Sequence, residues 1–212
     1  MERNRRPVIL LISLILCVSS LYAQKFEAEI REALQTKPKF EFRLDSRTSF
    51  INQTGVRVFG LKVGFQFDEK LSFGLGYNFL LSSIRNDIET QTGKASAKLK
   101  FRYLSPYVEY VFYRDEKWEL SIPVQFGFGQ SFYHIERNAE DVKLNNQFVL
   151  SYEPAITFQY RFLSYFGAGM GVGYRLMLVP NSEIDEQLTS PVYLFKFKIY
   201  FQDLWKDLNG IE

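Results

Sequence analysis

From Lys39 to Phe201 apolar and polar residues alternate with a period of two, the spacing of strands whose two faces differ in chemistry. The alternation falls into eight runs: Lys39–Ser49, Val56–Phe67, Lys70–Leu81, Ser96–Tyr113, Trp118–Tyr133, Gln147–Phe162, Phe166–Leu178 and Val192–Phe201. The fifth is the plainest, with Trp118, Leu120, Ile122, Val124, Phe126 and Phe128 set against Glu119, Ser121, Pro123, Gln125, Gly127 and Gly129. In the fourth, Leu99, Phe101 and Tyr103 begin on one parity, and Val108, Tyr110 and Phe112 finish on the other. One extra residue near Leu104-Ser105-Pro106 restores the facing, so the pattern predicts a β-bulge there, where a proline is also best tolerated. That correction puts Leu99, Phe101 and Tyr103 on the apolar face and Lys98, Lys100 and Arg102 on the polar one.

The connections alternate in length. Asp68-Glu69, Arg114–Lys117 and Leu163-Ser164-Tyr165 read as tight turns, whereas Ile84–Lys94, His134–Asn146 and Pro180–Ser190 are long and charged, with Phe50–Gly55 the short member of the long set. Short turns on one side and long loops on the other fit an even number of strands with both termini on the short-turn side, the periplasm.

Residue size then decides between a soluble and a membrane barrel. One face is Phe, Tyr, Leu, Val and Ile; the other is Gly, Ser and Gln with scattered charges. Eight closed strands leave an interior just wide enough to be filled by side chains. Several phenylalanines per strand overfill it, so the bulky face points outward to lipid. Gly167, Gly169, Gly171 and Gly173 then lie inside and leave room for long side chains opposite. The predicted fold is all-β: a closed antiparallel up-and-down transmembrane β-barrel of about eight strands over residues 39–202.

The ends differ from this body. Arg3, Arg5 and Arg6 precede an apolar stretch from Val8 to Val18 and a small-residue region ending at Ala23, which reads as a cleaved secretory signal over residues 1–23. The stretch is shorter than the ~20 apolar residues of a spanning helix. Residues 24–38 space Phe26, Ile30 and Leu34 four apart, as an amphipathic helix or a disordered leader before Pro38. Residues 203–212 read as a short periplasmic tail.

Composition adds three points. Aromatic residues reach 17%, a strand- and interface-favouring excess. Mean hydropathy is only −0.16, as expected when lipid-facing and lumen-facing residues cancel. The net charge of +2 comes from Arg3, Arg5, Arg6 and Glu2, so the chain after Ala23 is formally neutral and carries no nucleic-acid signature. The one cysteine, Cys17, lies in the signal behind Leu16, a poor lipid-attachment context. Its loss leaves no disulfide and no thiolate metal site.

The signal, the turn pattern and the final Tyr193-x-Phe195-x-Phe197-x-Ile199-x-Phe201 resemble the small outer-membrane barrels of the OmpA-transmembrane and OmpX type. Gln24 just after the cleavage point gives the chain the look of a Bacteroidota outer-membrane β-barrel domain. The last run is similar to the C-terminal strand signal of such barrels, although Asp203–Glu212 follows it here. The resemblance implies a monomer in the outer membrane of a Gram-negative cell. Its partners would be outer-membrane lipids, lipopolysaccharide and, during biogenesis, the assembly machinery.

The chemistry-bearing residues are mostly on the polar face. Glu109, Glu119, Glu153, Arg161, Arg175, Lys196 and Lys198 are expected to form a structural network inside the barrel, where an unpaired charge is costly. A proton or ion path along them is the alternative. Interior ion pairs are likewise the expectation for Lys98, Lys100 and Arg102, over phosphate binding at the rim. His134 is the single histidine and has no serine nucleophile beside it in Tyr133-His134-Ile135-Glu136. No catalytic residue, metal or cofactor site is therefore assigned. The expected role is a non-enzymatic barrel with a filled polar interior and external loops for envelope-structural or surface-binding work. A lipid A-modifying enzyme and a small-solute or proton channel are the alternatives.

Overall fold

The computed structural model describes residues 24–51, 54–90, 93–137, 140–182 and 188–209. The expected signal, and residues 183–187 of the third long loop, lie outside them. The strands are β1 Lys39–Ile51, β2 Thr54–Phe67, β3 Leu71–Leu80, β4 Arg85–Thr90, β5 Gly93–Arg114, β6 Trp118–Arg137, β7 Glu140–Leu163, β8 Phe166–Val179 and β9 Ser190–Tyr200. A helix over residues 24–35, α1, precedes them, and α2 (Phe201–Asn209) follows.

All pairings are antiparallel, and β1 pairs with both β2 and β9. β5 pairs with β3 along one part of its length and with β4 along another. β3 and β4 are thus two segments of one wall strand, and the sheet closes as an eight-stave ring. Within the ring each stave is paired on both sides, the condition for crossing lipid with strands, and one-sided pairing is found at the hairpin end, at β4 and the first part of β7.

The turns collect at one end of the ring and the hairpin tips at the other. At the turn end, Asp68 and Glu69 adopt φ of 46° and 55°, and Lys70 N–H donates to Phe67 O at 3.0 Å. Left-handed backbone is unfavourable at Glu69, whose carboxylate is held by Lys39 and Arg114, each at 2.8 Å. In the next turn the Asp115 carboxylate accepts the Trp118 and Lys117 amides at 2.7 and 2.9 Å. Those two donations hold its pKa below the usual carboxylate range.

Along the ring the outward face is apolar. Leu75, Val108, Ile156, Met170 and Val172 are each half exposed or more, with no protein packed over them. Such a belt suits lipid and would be a liability in water. Val172→Arg should therefore cost about 2–4 kcal/mol in vesicle-folding titrations, against a much smaller loss for inward Ser121→Ala. Equal losses would mean that the facing is misassigned. Inside, Gly64 and Gly74 lie opposite each other, and a Cβ on either would strike neighbouring backbone and the Tyr107 hydroxyl. The bare backbone is what lets that tyrosine lie against the wall.

The fourth predicted strand requires correction. Its register against β6 runs unbroken from Leu104↔Phe128 to Tyr107↔Gln125, and the shift falls later, between Val111 and Tyr113. Without a bulge at 104–106, facing does not change there. Leu99, Phe101 and Tyr103 point inward and are buried, whereas Lys98, Lys100 and Arg102 point outward. What changes is the polarity of the surroundings. Val56, Val58, Leu80, Leu99, Phe101, Tyr103, Tyr133, Ile135 and Val149 pack with Leu188 into an apolar core inside the hairpin end. There the barrel has the pattern of a water-exposed protein, apolar within and polar without. Toward the turn end it has the inverse.

The expected long loops change too. Most of Ile84–Lys94 and His134–Asn146 extends the β4–β5 and β6–β7 ladders into hairpins. A register shift between Ser131 and Tyr133 accompanies a left-handed Asn145 in the second of them. At the other end the last strand stops at Tyr200, and Phe201, expected to be its final residue, opens α2 and packs on Phe40 at 5.5 Å. Residues 24–35 form a helix whose Phe26 ring meets Tyr110 edge-on at 4.9 Å on the outer wall.

Candidate functional site

β1 supplies the spine of the interior. Glu41, Arg43, Asp45 and Arg47 alternate with lipid-side residues, so their side chains stack along the lumen, all at most 2% exposed. Two connected groups form around them. Nearer the turn end, Glu41 accepts from Arg43 at 2.6 Å, Lys198 at 2.9 Å and the Tyr107 hydroxyl at 3.0 Å. Glu109 accepts from Arg43, from Ser121 and, at 2.7 Å, from Lys196, which also reaches Thr157 at 2.9 Å. Closer to the apolar core, Glu153 lies 2.8 Å from Arg47 and 2.9 Å from Arg175 and accepts from Gln125 at 3.0 Å. Asp45 lies 2.7 Å from Arg47 and 3.0 Å from Lys62. Arg47 also donates to Asn78 at 2.7 Å.

Among the described residues, five buried carboxylates (Glu41, Asp45, Glu109, Glu119, Glu153) face six buried bases (Arg43, Arg47, Lys62, Arg175, Lys196, Lys198). Near-balance with direct contact is what makes so many charges tolerable away from water. The Arg175 guanidinium also lies over the Phe101 ring at 5.7 Å, where the charged layer meets the apolar core.

Of the residues singled out in the sequence, the structure brings Glu109, Glu153, Arg175, Lys196 and Lys198 into this lumen. Glu119 sits near its turn end, 3.9 Å from Lys198 and 3.7 Å from Arg114. Arg161 is apart from it: partly exposed at the rim, it pairs with Asp203 of α2 at 2.7 Å. The β1 quartet, Lys62 and Tyr107 were missed. The signal was present, since Glu41, Arg43, Asp45 and Arg47 share one parity in the first run. Lys98, Lys100 and Arg102, expected to join interior ion pairs, lie on the opposite side of the wall.

A cavity between Arg114, Glu119, Gln159, Arg161 and Tyr200 at the turn end holds about 10 Å³, barely one water. His134 is partly exposed on the outer wall, opposite Lys98 and Lys143 in register. Among the described residues no three His, Cys, Asp or Glu side chains are grouped to hold a metal ion.

No protein-family model matches the chain, and no curated protein does. Solved structures do match. Neisserial surface protein A aligns over 76% of this chain and 96% of its own, with 10% identity and a TM-score of 0.57. Ail, the attachment invasion locus protein of Yersinia pestis, covers 78% and 99% at 15% identity and a TM-score of 0.45. The N-terminal β-barrel domain of Pseudomonas aeruginosa OprF covers 77% and 98% at 10% identity and 0.43. At such identity a shared fold carries no shared activity. The ring closure, the outward apolar belt and the match to Neisserial surface protein A agree: this chain has the fold of the small eight-stranded outer-membrane β-barrels.

Proposed function

We propose that the protein is a sealed, non-enzymatic barrel of the outer membrane of a Gram-negative bacterium. In this reading residues 1–23 are its cleaved signal and 39–202 its barrel. The turn end, the 24–38 segment and the tail after 202 face the periplasm, and the hairpin end faces outward. The hairpins serve an envelope-structural or surface-binding role on a rigid support. Orientation rests on the rule that short turns are periplasmic.

One observation carries the sealed reading: the lumen is filled twice over, by the paired charges around Glu41, Glu109 and Glu153 and by the apolar core around Phe101. Large aqueous channels need about 16–18 strands. The charges act in this reading as structural filling, each buried base in contact with a carboxylate. Against an enzyme stands the lack of a nucleophile beside His134 in the sequence.

Planar-bilayer recording on purified protein tests this. The expected trace has no large, steady conductance. A stable porin-like current would refute the seal.

A further inference from the structure

The outer wall at the hairpin end carries a cluster of cations whose chemistry differs from that of the lumen. Lys98, Lys100 and Arg102 occupy successive outward positions of β5. In register, Lys100 lies opposite Phe132 and Lys98 opposite His134, which in turn lies opposite Lys143. Phe132 faces outward yet is only 5% exposed, because Arg102 and Lys143 lie over its ring at 5.5 and 5.3 Å. Every buried lumen base meets a carboxylate, but among the described residues none of Lys98, Lys100, Arg102 and Lys143 does.

The height of this cluster matters. The next outward positions toward the turn end are Leu104 on β5, Phe128 on β6 and Tyr77 on β3, which begin the lipid-facing belt. The cations thus stand where a membrane's headgroups lie against the wall. Arg85, opposite Lys98 on β4, and Arg57 on β2 also stand exposed on the outer wall, so the cations form a patch over β2, β4, β5, β6 and β7, whereas Leu176, Leu178 and Tyr193 are exposed on β8 and β9. Just below the patch, a shallow groove of about 440 Å³ crosses the outer wall, with Arg102 at its upper edge and Tyr77, Leu104, Phe128 and Phe148 along it.

We propose that this face binds a multiply phosphorylated, acylated glycolipid of the surrounding leaflet. Its phosphates lie on Lys98, Lys100, Arg102 and Lys143, and one acyl chain lies in the groove past Leu104. Cations at headgroup level attract phosphate, and a guanidinium adds directed, charge-assisted hydrogen bonds. From Lys98 to Arg102 the ladder spans about 13 Å at roughly 3.3 Å per residue. That length suits a headgroup bearing separated phosphates better than a single phosphodiester. The proposal rests on the reading that the hairpin end is external.

The chain from Gln24 onward, folded in detergent micelles, is titrated with bis-phosphorylated lipid A, with its dephosphorylated form and with phosphatidylglycerol, and bound lipid is counted by native mass spectrometry. Lipid A should bind at least tenfold more tightly than either comparison lipid. Lys100→Gln/Arg102→Gln should lose at least tenfold, and Lys98→Gln/Lys143→Gln a smaller but measurable amount. Lys117→Gln, exposed in the turn at the opposite end of the ring, should stay within twofold. Equal binding of the dephosphorylated lipid or of phosphatidylglycerol overturns the proposal, as does an unchanged double variant or an equal loss in Lys117→Gln. Heat-dependent electrophoretic mobility of the same samples reports the closed barrel. A wild-type chain without that shift refutes the barrel reading itself, whereas a shifted chain that ignores phosphate refutes only this site.

Discussion

Glu153→Leu should destabilise the folded barrel by about 3–5 kcal/mol, the usual cost of leaving a buried charge without its partner. Glu153 is 3% exposed and stands between two arginines. Arg47 keeps Asp45 when Glu153 is lost. Arg175, fully buried, has Glu153 as its one carboxylate among the described residues, so it carries most of the penalty. The lumen also moves further from charge balance, since its buried bases already exceed its carboxylates by one. Urea unfolding in lipid vesicles, followed by tryptophan fluorescence, measures the effect. The double variant Glu153→Leu/Arg175→Met removes both ends of the pair and should recover a large part of the loss. If the single change costs under about 1 kcal/mol, the charge is not held as a buried pair and the structural account of the lumen fails.

Phe101→Ala should cost a similar amount, about 3–5 kcal/mol, by opening a cavity in a packed core. The ring is 2% exposed, packs on Tyr103 at 4.8 Å and lies under Arg175. Leu104→Ala, three residues on but facing lipid, should cost distinctly less, because lipid flows into the space left and no cavity remains. The comparison is sharp because the expectation from parity alone was the reverse for Phe101, which it placed in lipid. The same unfolding assay checks it, and a Phe101 variant milder than the Leu104 variant would mean that the hairpin-end core does not form.

Those two residues show where the sequence was legible. The period of two over Lys39–Phe201 located all eight staves of the ring, because alternation is a property of the strand itself and needs no partner. The size contrast between Val172 and Gly171, or Phe126 and Gly127, was enough to send the bulky face outward. Both follow from local geometry and the limited interior of a small closed sheet.

The tertiary structure decided the rest. A strand of this barrel is longer than the lipid layer it crosses, so one face meets lipid along part of its length and water along the remainder. At Arg102–Leu104 the outward side passes from cation to leucine, and at Tyr103–Ser105 the inward side passes from aromatic to hydroxyl. Read on one strand, that double exchange is indistinguishable from an inserted residue, and it produced the expected bulge at 104–106. Only the register against β6 separates a change of facing from a change of solvent. Pairing inside the lumen was equally out of reach. That Glu41 meets Lys198 and Arg43 meets Glu109 depends on closing β1 against β9 and on side chains reaching across the ring. The sequence by itself determined which residues alternate and which face is bulky. Closure of the ring and the change of surroundings along each strand decided which charges are buried together and which stand on the outer wall.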